Sequence, residues 1–337
     1  LNAMSMLLDV QLAHALSLLG GREQDYDPLF AHPDEDLASL HARHASSLAP
    51  QTRHVVEDAG GLILEAGPAS TTVMVGAGDI APERVITMVA GATTGKPEQL
   101  AGLDQFHTRG LAATAELAKL AGITAGMAVL DVGAGVGGPA RYLAAAHGCR
   151  VAGVDLSEPF VEAARYLTGR TGQGGQVSFE AASALELPFG DSRFDAALLQ
   201  HVAMNIADRA RLYGEIRRVL KPGGRFATFD IVLTGGEPHY PVPWARTPDT
   251  SFLMTAAATR EAIEPAGFRT LVWQDDTEPA KAWVAQMRAA GPPPSPNLGV
   301  VMGPDFAQLT GNLGRNLMEG RLGILTAVFE AAPTNAR

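Results

Sequence analysis

From about Leu103 onward, short apolar runs alternate with longer segments of helical period, separated by glycine or proline turns. This alternation predicts strands at Met127–Val132, Arg150–Asp155, Gln176–Ala181, Phe194–Gln200, Arg225–Val232, Phe268–Gln274 and Leu322–Phe329. With helices in most of the gaps, the pattern reads as α/β: a seven-stranded, mostly parallel sheet covered on both faces. The turn Lys221-Pro222-Gly223-Gly224 should end one helix and feed the next strand. Two gaps are irregular. Residues 234–251 hold Gly235-Gly236, four prolines and Trp244; residues 275–320 hold two helical stretches around Gly291-Pro292-Pro293-Pro294-Ser295-Pro296. Both follow strands on the same half of the sheet, so either could act as a lid over a site.

The first hundred residues follow another pattern. Helices are expected at Met6–Leu19 and Pro33–Leu48, a β-hairpin from Gly61–Leu64 to Thr72–Val75, and a short helix at Pro82–Val89. This divides the chain into an N-terminal extension, 1–100, of open role, and a domain at 101–337. The extension is expected to be a satellite module or a homodimer contact. Leu1-Asn2-Ala3 ahead of Met4 has no basic residue and reads as a cloning remnant.

Composition narrows the class. Apolar residues make up 46% and charged residues 18%, which suits a folded globular chain. The formal charge of -10 offers no basic surface for phosphate backbones, so no nucleic-acid partner is expected. No apolar run nears the roughly 20 residues a membrane helix needs, and the single cysteine, Cys149, fits a reducing, cytoplasmic setting.

The sharpest motif is Val129-Leu130-Asp131-Val132-Gly133-Ala134-Gly135-Val136-Gly137-Gly138-Pro139, a strand end running through a glycine loop into a helix. Asp155, 22 residues after Gly133, closes the next strand at the spacing from which a carboxylate accepts hydrogen bonds from a ribose diol. Gly133, Gly135 and Gly138 satisfy G-x-G-x-x-G, so a nicotinamide cofactor and an NAD-dependent oxidoreductase must be considered. Asp131 argues against it, because a carboxylate two residues before the first glycine suits a cationic amino group. The two extra strands after the fifth also argue against it, as does Leu187-Pro188-Phe189, placed to flank an adenine.

The segments Leu130–Gly135, Val154-Asp155-Leu156-Ser157, Ala184–Phe189 and Leu220–Gly224 together resemble class I S-adenosylmethionine-dependent methyltransferases of the small-molecule type. They are similar to the sarcosine/dimethylglycine and ubiquinone/menaquinone-pathway enzymes. The resemblance covers roughly 103–332 and implies a Rossmann-like methyltransferase fold with S-adenosylmethionine as cofactor and S-adenosylhomocysteine as product. It implies that Asp131, Gly133, Ala134 and Gly135 meet the methionine half, Asp155 the ribose, Leu156 an adenine face, and Ser183 and Ala184 the adenine edge. Many relatives have aspartate at the position of Ser183; a serine can still accept one hydrogen bond. Asp104-Gln105-Phe106-His107-Thr108-Arg109-Gly110 matches a segment that folds over the cofactor in relatives, which adds Gln105 and His107 to the cofactor set, with Gln200 at the fourth strand's end.

Methyl transfer from a sulfonium is an in-line displacement in a dry pocket and requires no metal. His41, His44 and His54 lack a carboxylate or cysteine to complete a metal set. His201 has an imidazole suited to proton transfer or to a structural bond, and Asn205 could position a substrate; these are the catalytic candidates. His239, Tyr240 and Trp244 are the acceptor-wall candidates. The expected activity is methylation of a small molecule at nitrogen, oxygen or carbon. A noncatalytic S-adenosylmethionine-binding protein and the oxidoreductase stand as alternatives.

Overall fold

The computed structural model describes residues 100–291, 298–302 and 305–333, together with four strands near the N-terminus. The chain divides into two compact units, 1–95 and 96–337. In the first unit, β1 (Thr52–Asp58), β2 (Gly61–Ala66), β3 (Thr71–Gly76) and β4 (Ile86–Ala90) form an antiparallel meander. The expected hairpin is present, with Leu62 opposite Val75 and Leu64 opposite Val73. The helix expected at Pro82–Val89 is not: Ile86–Ala90 pairs with β3 as a strand. Three of the strand's five residues, Ile86, Thr87 and Val89, are β-branched, a residue class that favours strands over helices. The helices expected at Met6–Leu19 and Pro33–Leu48 lie outside the described residues.

The second unit is a seven-stranded sheet. A short helix α1 (Ala101–Asp104) and α2 (Gly110–Ala121) precede β5 (Ala128–Val132). Then come α3 (Gly138–His147), β6 (Arg150–Asp155), α4 (Glu158–Arg170), β7 (Val177–Ala181) and β8 (Phe194–Gln200). They are followed by α5 (Arg209–Val219), β9 (Leu220–Leu233), α6 (Ala256–Ile263) and β10 (Phe268–Asp275). Last are α7 (Thr277–Ala290), α8 (Leu298–Met302), α9 (Phe306–Met318) and β11 (Leu322–Ala331). The sheet order is β10-β11-β9-β8-β5-β6-β7. β7, β6, β5, β8 and β9 pair in parallel, and β11 enters antiparallel between β9 and β10. The chain order reverses between β5 and β8, the switch point at which open sheets of this kind bind ligands beyond their C-terminal strand ends.

Alternation along the strands makes two core layers. Val129, Val151, Leu198, Phe229 and Ile324 face a layer with Leu117, Leu143, Val161 and Leu317. Leu130, Val154, Leu199, Phe226 and Phe329 face the other, with Leu212, Ile216 and Ile263. The Lys221–Gly224 turn lies within β9: the ladder steps from Phe194 opposite Leu220 to Ala196 opposite Arg225, so the turn bulges out of a strand that has already begun.

One polar pair interrupts the first layer. Arg141 on α3 is fully buried and donates to the Asp104 carboxylate, itself 1% exposed, at 2.8 Å. Arg141 also donates to Thr168 at 3.2 Å. Asp104→Ala would leave a buried guanidinium without its counter-charge and should destabilise the fold by about 3–5 kcal/mol in denaturant unfolding.

Candidate functional site

At the C-terminal end of β5 the chain turns back under β6. The Gly133 and Ala134 amides donate to the Val154 carbonyl at 2.8 and 2.9 Å. Gly135 has φ +53, and a Cβ there would lie 2.7 Å from the Phe106 ring. At Gly138 a Cβ would come within 2.1 Å of the Asp104 carbonyl oxygen. The fourth glycine is therefore demanded by the chain crossing the start of α3, a reason for glycine that the motif alone does not disclose.

Asp155, at the end of β6, accepts from the Gly135 amide at 2.8 Å through one oxygen and from the Ser157 amide at 2.9 Å through the other. Each carboxylate oxygen has a second lone pair left for a ligand. Burial raises its pKa above the ordinary carboxylate value, against the lowering effect of these bonds. Leu156 beside it is 79% exposed, an apolar face standing free at the strand end. Asp131 is 2% exposed, and its Oδ2 has no hydrogen-bond partner in the structure. Burial, reinforced by the neighbouring Asp155 charge, pushes its carboxyl up to about 7. A buried acceptor without a donor is costly, and a cationic amine of a ligand would satisfy it.

The segment after α1 is bound into this end of the sheet. Gln105, His107, Thr114 and Gln200 are all buried and mutually hydrogen-bonded, with Thr114 Oγ1 2.9 Å from Gln105 Oε1 and 3.1 Å from His107 Nε2. His107 Nδ1 is 3.2 Å from the Thr108 carbonyl, so this nitrogen carries the proton and Nε2 accepts. Burial drives the His107 imidazole down to about 4.

His201 directly follows β8. Its amide extends the ladder to the Phe229 carbonyl at 2.8 Å, and its backbone then turns into the left-handed region at φ +53. That conformation costs a residue with a Cβ about 1 kcal/mol or more. The ring lies parallel to Phe229, with centroids 5.3 Å apart, 3.4 Å from the Thr108 hydroxyl. Burial, and then the neighbouring His107, hold the imidazole well below its usual value. Asn205 ends a one-turn helix, Ala203–Asn205; it is exposed, and its amide donates to the Val202 carbonyl at 3.1 Å. Asp230 on β9 receives the Ala203 amide at 3.0 Å and so fixes that turn. Ser183 accepts the Leu185 amide at 3.1 Å.

The acceptor-wall candidates are tied to α9. The Asn316 side chain receives the His239 amide at 2.7 Å and donates to the His239 carbonyl at 3.0 Å, while Asn312 donates to the Pro241 carbonyl at 2.8 Å. The His239 ring is 2.7 Å from Glu319, so this residue anchors the loop. Tyr240 is half-buried. Trp244 is half-buried against the core layer that contains Met204 and Phe229, and its indole donates to Ser251 at 3.0 Å. The Phe252 amide donates to the Met204 carbonyl at 2.8 Å, joining the loop's end to the turn after His201.

Residues 130–228 match a family model described as a methyltransferase domain. Among curated proteins, the chain is 42% identical over 118 residues to a sterol 24-C-methyltransferase of Eremothecium gossypii, covering 35% of this chain and 32% of that one. It is 35% identical over 160 residues to the O-methyltransferase resE of Aspergillus sclerotiorum, covering 45% and 58%. The chain thus spans about a third to three fifths of the length of these relatives. Among solved structures, geranyl diphosphate C-methyltransferase from Streptomyces coelicolor, in complex with magnesium, geranyl diphosphate and S-adenosyl-L-homocysteine, superposes with a TM-score of 0.54 at 19% identity, covering 66% of this chain and 78% of that one. The Rossmann-like methyltransferase fold is therefore shared, and the glycine loop, Asp155, Ser183, Ala184, Gln200, His201 and Asn205 all lie within the matched span.

Sequence reasoning missed Thr114, Arg141 and Asp230. Thr114, Leu117, Ala118 and Ala121 form the buried stripe of α2, so a hydroxyl on an otherwise apolar stripe was the available signal.

The raised Asp131 carboxyl sets a pH dependence. Such a group contributes stability that is fully present below the ordinary carboxylate range near 4 and is lost as pH rises through about 7. Asp131→Asn should therefore gain stability relative to the native chain as pH rises from about 4 to about 7, by up to about 4 kcal/mol in denaturant titrations.

Proposed function

We propose that the protein transfers the methyl group of S-adenosylmethionine to a small-molecule acceptor by in-line displacement. The observation that carries this reading is the unpartnered, buried Asp131 Oδ2 on β5, the strand that leads into the glycine loop that Asp155 braces. Two carboxylates at the switch point suit a ligand with an ammonium at one end and a ribose diol at the other, and the exposed Leu156 suits the face of an adenine. Ser183 and Ala184 follow β7, where the adenine edge would lie. The matches to curated methyltransferases support methyl transfer, and the S-adenosyl-L-homocysteine in the geranyl diphosphate C-methyltransferase structure supports the same cofactor.

When bound, S-adenosylmethionine supplies an electrophilic methyl on a positively charged sulfur. The side chains at the end of β8 are built for such a cation. His107 and His201 are held neutral by burial, so neither ring adds a positive charge beside it. Neutral His201 can take a proton from the acceptor as the new bond forms; its lowered basicity suits an acidic hydroxyl or an acidic carbon. Phe229 holds the ring in one plane. The 234–251 loop, bonded to α9 and docked on Met204, serves as the outer acceptor wall, with Tyr240 and Trp244 as its aromatic members and 275–320 as the second part of the lid. Asn205, whose amide is exposed, could meet an acceptor entering beside His201. Among the described residues no helix is long and apolar enough to cross a membrane.

Calorimetric titration with S-adenosylhomocysteine, with NADH as the competing ligand, tests the reading. Binding of the first alone is expected, and binding of NADH alone would reverse it in favour of the oxidoreductase. Asp155→Ala should weaken that binding by about 1–3 kcal/mol. Affinity should also rise between about pH 6 and about pH 8 as Asp131 loses its proton. His201→Ala should lower turnover and leave cofactor affinity unchanged; retained turnover would assign the ring to structure.

A further inference from the structure

The structure assigns Thr114 as a positioning residue: its hydroxyl sets the orientation of the Gln105 and Gln200 amides and of the His107 ring, and through them the seat of the cofactor. This rests on the cofactor reading above. Thr114 is fully buried on α2, yet its Oγ1 lies within 3.4 Å of side-chain atoms on three other residues, drawn from the segment after α1 and from the end of β8.

In one arrangement of protons Thr114 both accepts and donates, and its 3.1 Å approach to His107 Nε2 is a contact between two acceptors bridged by the Gln200 amide. His107 Nδ1 donates to the Thr108 carbonyl, which leaves Nε2 as an acceptor. The two amide hydrogens of Gln200 go to that Nε2 and to Thr114 Oγ1, each at 3.3 Å. Thr114 then passes its single proton to Gln105 Oε1 at 2.9 Å, its shortest contact. The Gln105 amide is thereby turned toward Asp104 Oδ1 at 3.4 Å, and the other oxygen of Asp104 is held by Arg141 at 2.8 Å. The chain of donors runs Gln200, Thr114, Gln105, Asp104, and ends at an arginine on the helix that follows the glycine loop. A hydroxyl is needed at the middle because that position must accept from one amide and donate to another. Valine has the same shape and can do neither, so Gln200 would keep only its 3.3 Å bond to His107 and Gln105 only its 3.4 Å contact with Asp104 to resist a flip.

The charged and titratable groups around the network are Asp104 and Arg141 below it and His107 and His201 beside it. The two rings are 5.9 Å apart at their centroids, and both sit against Phe229. The rings carry no charge near neutrality, so orientation at this site is set by hydrogen-bond direction.

The test uses the full chain with Thr114→Val and Thr114→Ser. S-adenosylhomocysteine affinity is read by calorimetry, the His107 tautomer by ring nitrogen chemical shifts, and melting temperature in parallel. The expected result is roughly tenfold weaker binding in Thr114→Val, with a mixed His107 tautomer, and recovery of both in Thr114→Ser. A purely structural hydroxyl would lower the melting temperature of Thr114→Val without moving the affinity of the folded fraction or the tautomer. Should Thr114→Val not fold, Thr114→Cys, a weak donor of similar size, takes its place with the same expectation. Native affinity in the valine or cysteine variant, or a serine variant as weak as valine, overturns the proposal. A native chain that does not bind S-adenosylhomocysteine overturns the cofactor reading and this proposal with it; that result comes from the first titration, before any variant is compared.

Discussion

The site depends on one buried ion pair. Arg141 and Asp104 meet with both side chains at 1% exposure or less, beside an apolar layer of alanine, valine, leucine, isoleucine and phenylalanine. Such a pair does little for net stability, since the desolvation of two charges offsets their attraction. Its effect is to fix position. The segment 104–109 has no ladder to hold it, and the pair pins its start to the helix that begins where the glycine loop ends. Gly138 lets the two backbones cross in contact, and Phe106 then lies over Gly135. Gln105 and His107 reach the end of β8 only because this anchor sets where the segment begins.

The same end of the sheet separates charge by depth. Two carboxylates, Asp131 and Asp155, lie along the glycine loop, while two histidines beyond β8 are stripped of charge by burial against Phe229. A cation placed between them is attracted from one side and not repelled from the other. The left-handed backbone of His201 is the strained point of this arrangement, held by its amide bond to Phe229 and by the turn that Asp230 secures.

Much of this was legible in the chain itself. The β6 and β8 limits agree with the apolar runs that predicted them, because parallel strands buried on both faces leave an unbroken apolar signature. Glycine loop and strand-end carboxylate were legible because their chemistry is local. The Ile86–Ala90 strand was misread because a short apolar segment fits either period, and the decision lay with its partner β3. Thr114 showed in the sequence only as a hydroxyl on an apolar stripe, and Arg141 not at all; each is a polar residue on a helix face that only tertiary contact turns into a network. His239 was legible only as a member of the loop; its bonds to Asn316 and Glu319 come from α9 and the residue after it, some eighty residues away.

The most direct test of the central claim is a crystal structure with S-adenosylhomocysteine. The account predicts the amino nitrogen of the ligand within hydrogen-bond distance of Asp131 Oδ2 and the ribose hydroxyls on Asp155, with Gln105 and Thr114 still in contact. A ligand seated elsewhere, or one that leaves Asp131 Oδ2 without a donor, would contradict it.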